Sequence, residues 1–238
     1  MRKLLALAAC LAVCASAFAG TIKKPEVTVQ LPEGWVEVPA SVLQQFFDEM
    51  QRQAPNAQIP RYSYAFQSKQ GPPWLDYPYV LVKVTATTRP TESELQSLPT
   101  VDLNDKVRDK RDDWSNVMKD SSLGKMRYDK AANVVWITSK STVVNIGEVS
   151  GISGVIPTEN GFVELHAYAK TADFPQHFPT FEKIITDAKI APLLQYQPRW
   201  TDKLPAPIRR FDWKEMGFLV AIGALIGVFI AIYRRKRT

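Results

Sequence analysis

A chain of 238 residues, 45% hydrophobic and 23% charged, has the composition of a folded protein, which excludes an extended disordered one. Its net charge of +6 is concentrated at the ends, in Arg2 and Lys3 and again in Arg234, Arg235, Lys236 and Arg237. The basic balance is therefore read as membrane topology and argues against nucleic-acid binding. Both cysteines, Cys10 and Cys14, fall in the N-terminal leader, so a thiol nucleophile, a disulfide framework and a thiolate metal site are excluded from the processed chain.

Met1-Arg2-Lys3 forms a positive n-region and residues 4–13 an apolar h-region. Ala17-Phe18-Ala19 puts small residues at the −3 and −1 positions of a cleavage site, which predicts a signal peptide over 1–19 and Gly20 as the new N-terminus. Leu7-Ala8-Ala9-Cys10 has the look of a lipoprotein box, but almost no h-region precedes it and a long apolar stretch follows.

Residues 20–190 read as one extracytoplasmic globular domain, a size that buries a core without staples. Leu31-Pro32-Glu33-Gly34-Trp35 predicts a turn into a short strand at 35–38. Over 40–54, Val42, Leu43, Phe46, Phe47 and Met50 recur at three- and four-residue spacing, the stripe of an amphipathic helix. Residues 61–67 alternate as a strand, and 79–88 predict a long strand with Val80, Val82, Val84 and Ala86 on the buried face. Thr91 with Glu94 is a capping box, and Pro99 interrupts the helix it starts. A second helical stretch is expected over 101–119, with its charged residues on a solvated face. Strand pairs follow at 125–144, turning at Ala132-Asn133, and at 149–170, turning at 157–161. A Phe-rich helix over 173–189 closes the domain.

Consecutive strands with helices before, between and after hairpins predict an α+β fold with an antiparallel sheet packed with helices, as an α/β/α sandwich. The order resembles the PsbP-like family over about residues 25–190. The resemblance is carried by Leu31-Pro32-Glu33-Gly34-Trp35, the helix after it, and Gly161-Phe162-Val163-Glu164-Leu165 leading into the terminal helix. It implies assembly, stabilising or binding roles and transfers no catalytic residue.

Residues 191–212 are proline-rich and read as a juxtamembrane stalk. The segment 213–233 predicts one transmembrane helix, because its unbroken apolar run from Met216 to Tyr233 spans ~27 Å against a ~30 Å hydrocarbon core. Phe211, Trp213 and Tyr233 serve as interfacial anchors, and the tail 234–238 stays cytoplasmic by the positive-inside rule. Gly223, Gly227 and Ala231 share one helix face, the spacing that lets two such helices pair into a homodimer.

No phosphate loop, dinucleotide fingerprint, zinc-protease helix or nucleophile elbow occurs. Gly151-Ile152-Ser153-Gly154 lacks the elbow spacing and reads as a turn. His166 and His177 lie on different elements, so no metal site and no cofactor are expected. His177 reads as a surface residue of the last helix. Along 162–170, Glu164, His166 and Tyr168 alternate away from the apolar positions, as Tyr79 and Lys83 do on the earlier strand. If the two strands share a sheet, these five residues form one polar and aromatic face, a candidate ligand-binding groove.

The expected function is a non-enzymatic, membrane-anchored module that binds a protein partner or envelope component. Its expected place is the periplasmic side of a bacterial inner membrane, with a eukaryotic secretory-pathway membrane as the alternative. The rival functions are a small-molecule or lipid carrier, and an envelope hydrolase built on His166 with a serine and a carboxylate.

Overall fold

The computed structural model describes residues 18–55, 59–69, 71–98, 103–104 and 117–203. Strands β1 (Phe18–Lys23), β2 (Val27–Pro32) and β3 (Val36–Glu37) precede helix α1 (Ala40–Gln53). Next come β4 (Tyr64–Gln67), β5 (Tyr79–Ala86) and the short helix α2 (Glu92–Ser97). The strands β6 (Met118–Leu123), β7 (Arg127–Asp129), β8 (Val134–Val143), β9 (Gly147–Thr158) and β10 (Gly161–Lys170) follow. Helix α3 (Phe174–Thr186), β11 (Lys189–Ile190) and two 3-10 turns, Pro192–Leu194 and Trp200–Lys203, complete the described chain.

The strands form a mixed, sheet-rich α+β unit. One antiparallel sheet runs β3-β4-β5-β10-β9-β8-β6, with β7 also paired to β8, and a second sheet of three strands runs β1-β2-β11. The long hairpins β8–β9 and β9–β10 are local, whereas β5 pairs with β10 across the whole intervening chain, from Gly161 opposite Ala86 to Tyr168 opposite Tyr79.

Both faces of the central strands are covered. On one face Val80, Val82, Val163, Leu165, Ala167 and Ile152 pack with Val27, Val29 and Leu31 of β2 and with Phe181, Ile184 and Ile185 of α3. The opposite face carries two apolar clusters. Tyr79, Leu81 and Tyr168 pack under Phe46, Phe47 and Met50 of α1. Phe162, Val135, Ile137 and Val155 pack with Leu95 and Leu98 at α2. Strands covered twice need apolar residues at successive positions, which explains the run Val80-Leu81-Val82 where strict alternation was expected.

Local signals account for the helices. The apolar stripe of α1 buries Leu43, Phe46, Phe47 and Met50. At α2 the predicted capping box is present: the Glu94 N–H donates to Thr91 Oγ1 at 3.2 Å, and the Thr91 N–H donates to Glu94 Oε2 at 2.8 Å.

Three expectations change. The β1–β2–β11 sheet was not expected at all, although Val27, Val29 and Leu31 alternate and are buried. Met118 and Lys119 begin strand β6 and do not end a helix, because Met118 pairs opposite Val143 and gives the outer edge of β8 a hydrogen-bonding partner. Residues 101–102 and 105–116 of that expected helix lie outside the described residues. Gly151-Ile152-Ser153-Gly154 is interior to β9 and is not a turn. The signal core, the run 213–233 with Gly223, Gly227 and Ala231, and the basic tail also lie outside the described residues. Among the described residues no helix is long and apolar enough to cross a membrane.

Gly154 explains how α3 sits so close to the sheet. A Cβ there would run into the Ile185 side chain and crowd Val134 at 3.1 Å. Gly154→Val should therefore push α3 off β9 and cost about 1–3 kcal/mol, read as a lower urea midpoint at unchanged slope.

Candidate functional site

The pairing of β5 with β10 brings the five predicted residues onto one face. Glu164 lies opposite Lys83, Tyr168 opposite Tyr79, and His166 opposite Leu81. On its other side β10 pairs with β9, which sets Ser153 opposite His166 and Gly151 opposite Tyr168. Along β10 the order Phe162, Glu164, His166, Tyr168 puts Glu164 and His166 between the α2 cluster and the α1 cluster. They form a polar seam between two apolar packings.

The seam is closed. Tyr79, Glu164, His166 and Tyr168 have 0% exposure, and only Lys83, with 16% of its side chain exposed, reaches solvent. The Tyr62 ring packs edge-on against the His166 ring at 5.8 Å, and Phe47 of α1 stacks on Tyr62 at 6.3 Å. The face expected as a shallow groove is thus packed beneath α1. Gly151 makes room for this: a Cβ there would stand 2.7 Å from the Tyr168 ring and 2.6 Å from Ser139 Oγ.

Glu164 is the charged centre. The Thr85 hydroxyl donates to its Oε1 at 2.5 Å, and Lys83 Nζ stands 3.3 Å from the same oxygen. Its Oε2 faces His166 Nε2 at 3.2 Å. His166 Nδ1 meets Ser153 Oγ at 2.8 Å, and Ser153 also hydrogen-bonds the Tyr168 hydroxyl. Burial opposes the charge of Glu164, but the His166 contact, the nearby Lys83 charge and the Thr85 hydroxyl outweigh it and hold the carboxyl below its usual range. Burial first, and then the Glu164 charge, pushes the Tyr62 phenol well up. Tyr168 is raised in the same way, mainly by burial.

Ser153, His166 and Glu164 stand in the order of a hydrolase relay, and Ser153 is the member the sequence did not single out. Its position in a strand was hidden by the flanking glycines, which serve close packing here. All three are fully buried beneath Tyr62 and α1, so in this conformation no acyl group reaches the Ser153 hydroxyl. What the arrangement does chemically is answer a buried carboxylate with donors. His177 is half-buried against the Phe181 ring at 5.9 Å, away from the seam. Among the described residues no group of three or more potential metal ligands occurs.

A second polar cluster lies at the turn of the β9–β10 hairpin, where no sequence pattern pointed to a site. Arg89 donates through Nη1 and Nη2 to both Asp202 carboxylate oxygens, at 2.7 and 2.8 Å, and through Nε to Glu159 at 3.1 Å. Its guanidinium lies 4.4 Å over the Tyr196 ring. Glu159 holds the same segment three more times. Its N–H donates to the Leu194 carbonyl at 3.0 Å, its Oε1 accepts from the Gln197 N–H at 3.0 Å, and its Oε2 pairs with Arg199. The bond to Arg89 keeps the Asp202 carboxyl below its usual range, and Asp202 in turn raises Arg89. Residues 192–203, expected as the start of an extended stalk, are therefore clasped to the domain. The segment 204–212 lies outside the described residues.

No family model and no curated protein matches the chain. Several solved structures are similar to it in fold, two of them as follows. One is the solution structure of cyanobacterial PsbP from Synechocystis sp. PCC 6803, at 10% identity and a TM-score of 0.41, covering 69% of this chain and 86% of that one. The other is the crystal structure of LpqN of Mycobacterium tuberculosis, described as involved in cell envelope biogenesis, at 13% identity and a TM-score of 0.37, covering 73% of this chain and 90% of that one. The likeness to PsbP is one of fold alone, and no residue, partner or activity follows from it.

Two predictions come from these clusters. Because the Glu164 carboxyl is held below its ordinary 4.5, it stabilises the fold above that value, and the stabilisation is lost as pH falls through the folded value. Glu164→Gln should lose about 1–3 kcal/mol at neutral pH and show a flatter fall in stability below 4.5, read from urea midpoints across the acid range. Arg89→Ala should release residues 192–203 first. Their amides should exchange with solvent faster while those of β9 and β10 stay protected, with a global loss of no more than about 1–3 kcal/mol.

Proposed function

We propose that the chain is a membrane-tethered extracytoplasmic module that works by binding a protein partner or envelope component and not by catalysis. The observation that carries this reading is the contrast between its two polar clusters. The seam around Glu164 and His166 is internal, with its groups turned on one another. The clasp around Arg89 holds the segment that leads toward the apolar run. One cluster stabilises the domain and the other ties it to its tether, which leaves the outer surface as the working part. The leader over 1–19 and the basic tail 234–238 support export of the domain with the tail inside. Pairing of two chains through Gly223, Gly227 and Ala231 belongs to the same proposal.

Protease added to spheroplasts should digest the domain and leave a membrane-protected fragment starting near Phe211, and crosslinking in the same membranes should capture an envelope component. A domain that resists protease while the tail is cut would refute the orientation.

A further inference from the structure

Among the described residues the exposed large hydrophobic side chains are Leu193, at 93%, and Trp200, at 77%. Both belong to the clasped segment, and both adjoin groups pinned to one residue. Leu193 precedes Leu194, whose carbonyl accepts from the Glu159 N–H; Trp200 follows Arg199, which pairs with the Glu159 carboxylate. The Trp200 turn is fixed further, because the Arg199 N–H donates to Asp202 Oδ2 at 2.8 Å and Asp202 is itself locked by Arg89. A tryptophan on a loose tail could fold back onto apolar surface. This one is held away from the core by a bidentate ion pair, a hydrogen-bonded turn and a stacked guanidinium.

The chain that follows indicates what covers it. Twelve residues separate Lys203 from Met216, and at no more than about 3.3–3.6 Å each they keep the clasped segment within roughly 45 Å of the apolar run. They include Arg209, Arg210 and Lys214 against Asp212 and Glu215, so with Lys203 the approach to the apolar run is net positive. Tryptophan with neighbouring cations is the side-chain set favoured at the headgroup level of a bilayer, and cations there meet anionic lipid.

We propose that Trp200 and Leu193 form a membrane-seating patch, which rests the domain on the anionic lipid surface beside its own anchor. The proposal rests on the tethered reading above. The clasp orients the patch, and the lipid interface is its occupant.

The test uses the full chain with Cys10 and Cys14 replaced by alanine, so that one introduced cysteine is unique. Leu193→Cys, Trp200→Cys, Trp213→Cys and the exposed control Lys170→Cys each receive an environment-sensitive fluorophore. The proteins are reconstituted in vesicles of phosphatidylglycerol and phosphatidylethanolamine carrying lipids spin-labelled near the headgroup. Labels at 193 and 200 should be quenched at least half as strongly as the label at 213, and the label at 170 should not be. Adding Arg89→Ala should reduce the quenching at 200 at least twofold. If 213 is quenched while 193 and 200 stay as accessible to aqueous iodide as 170, the seating is overturned and the tether stands. If 193 and 200 are shielded from iodide but unquenched by lipid, protein covers the patch and the lipid occupant is overturned. If 213 is unquenched as well, the tether and the seating fall together.

Discussion

A carboxylate with no exposed surface in the middle of a sheet has to be answered by its neighbours, and here those neighbours come from three strands. Glu164 is on β10; Lys83 and Thr85 are on β5, some eighty residues earlier in the chain; and Ser153, which orients His166, is on β9. Slipping β5 by one residue against β10 would turn Val82 or Val84 toward the carboxylate and send Lys83 into the apolar face shared with α3. The buried charge thus penalises a one-residue slip in the pairing that spans the most chain in this sheet, since β5 and β10 have the whole β6–β9 segment between them.

The same arrangement explains which features could be read from the sequence. Helix α1, the capping box at Thr91 and Glu94, the β9–β10 hairpin and α3 were legible because their signals are local: a stripe, a cap, a turn, a phenylalanine-rich period. The shared face of Tyr79, Lys83, Glu164, His166 and Tyr168 was legible too, because alternation alone assigns residues to a side. Whether that side was open was not legible. The cover depends on Phe47 reaching Tyr62 and Tyr62 reaching His166, contacts between elements that no periodicity encodes. Ser153 was missed for a related reason. Its flanking glycines suggest a turn, but Gly151 yields space to Tyr168 and Gly154 yields space to Ile185. The clasp was hidden by composition, since prolines around 192–207 suggest an extended stalk, and only tertiary structure shows Arg89 waiting for Asp202.

Closing the seam has a consequence for where function can lie. A serine, a histidine and a carboxylate in relay order would invite a hydrolytic reading if they lined a cleft. Packed under aromatic rings, His166 meets Ser153 through Nδ1, while its Nε2 and Glu164 Oε2 face each other at 3.2 Å without a well-formed hydrogen bond, a polar contact held by the packing around it. In this packing the three groups bear on stability and on the register of β5 against β10.

The ends of the domain are secured in two stages. In the small sheet β2 lies between β1, whose first two residues overlap the end of the expected leader, and β11, just after α3, so the two ends of the described globular unit are held by one strand. The C-terminal segment then makes a second attachment at Glu159 and Arg89 before the chain continues toward the apolar run. Any pull on that continuing chain meets the Arg89–Asp202 pair first. It reaches the small sheet through Lys189 and Ile190, paired with Thr28 and Val27, and through the Ala191 N–H, which donates to the Glu26 carbonyl at 2.9 Å. Without the clasp, any displacement of the chain that follows would pass directly to that short pairing. With the clasp, the load falls on the hairpin end of β9 and β10, the two longest-paired strands of the main sheet, and the small sheet is left to hold the ends together.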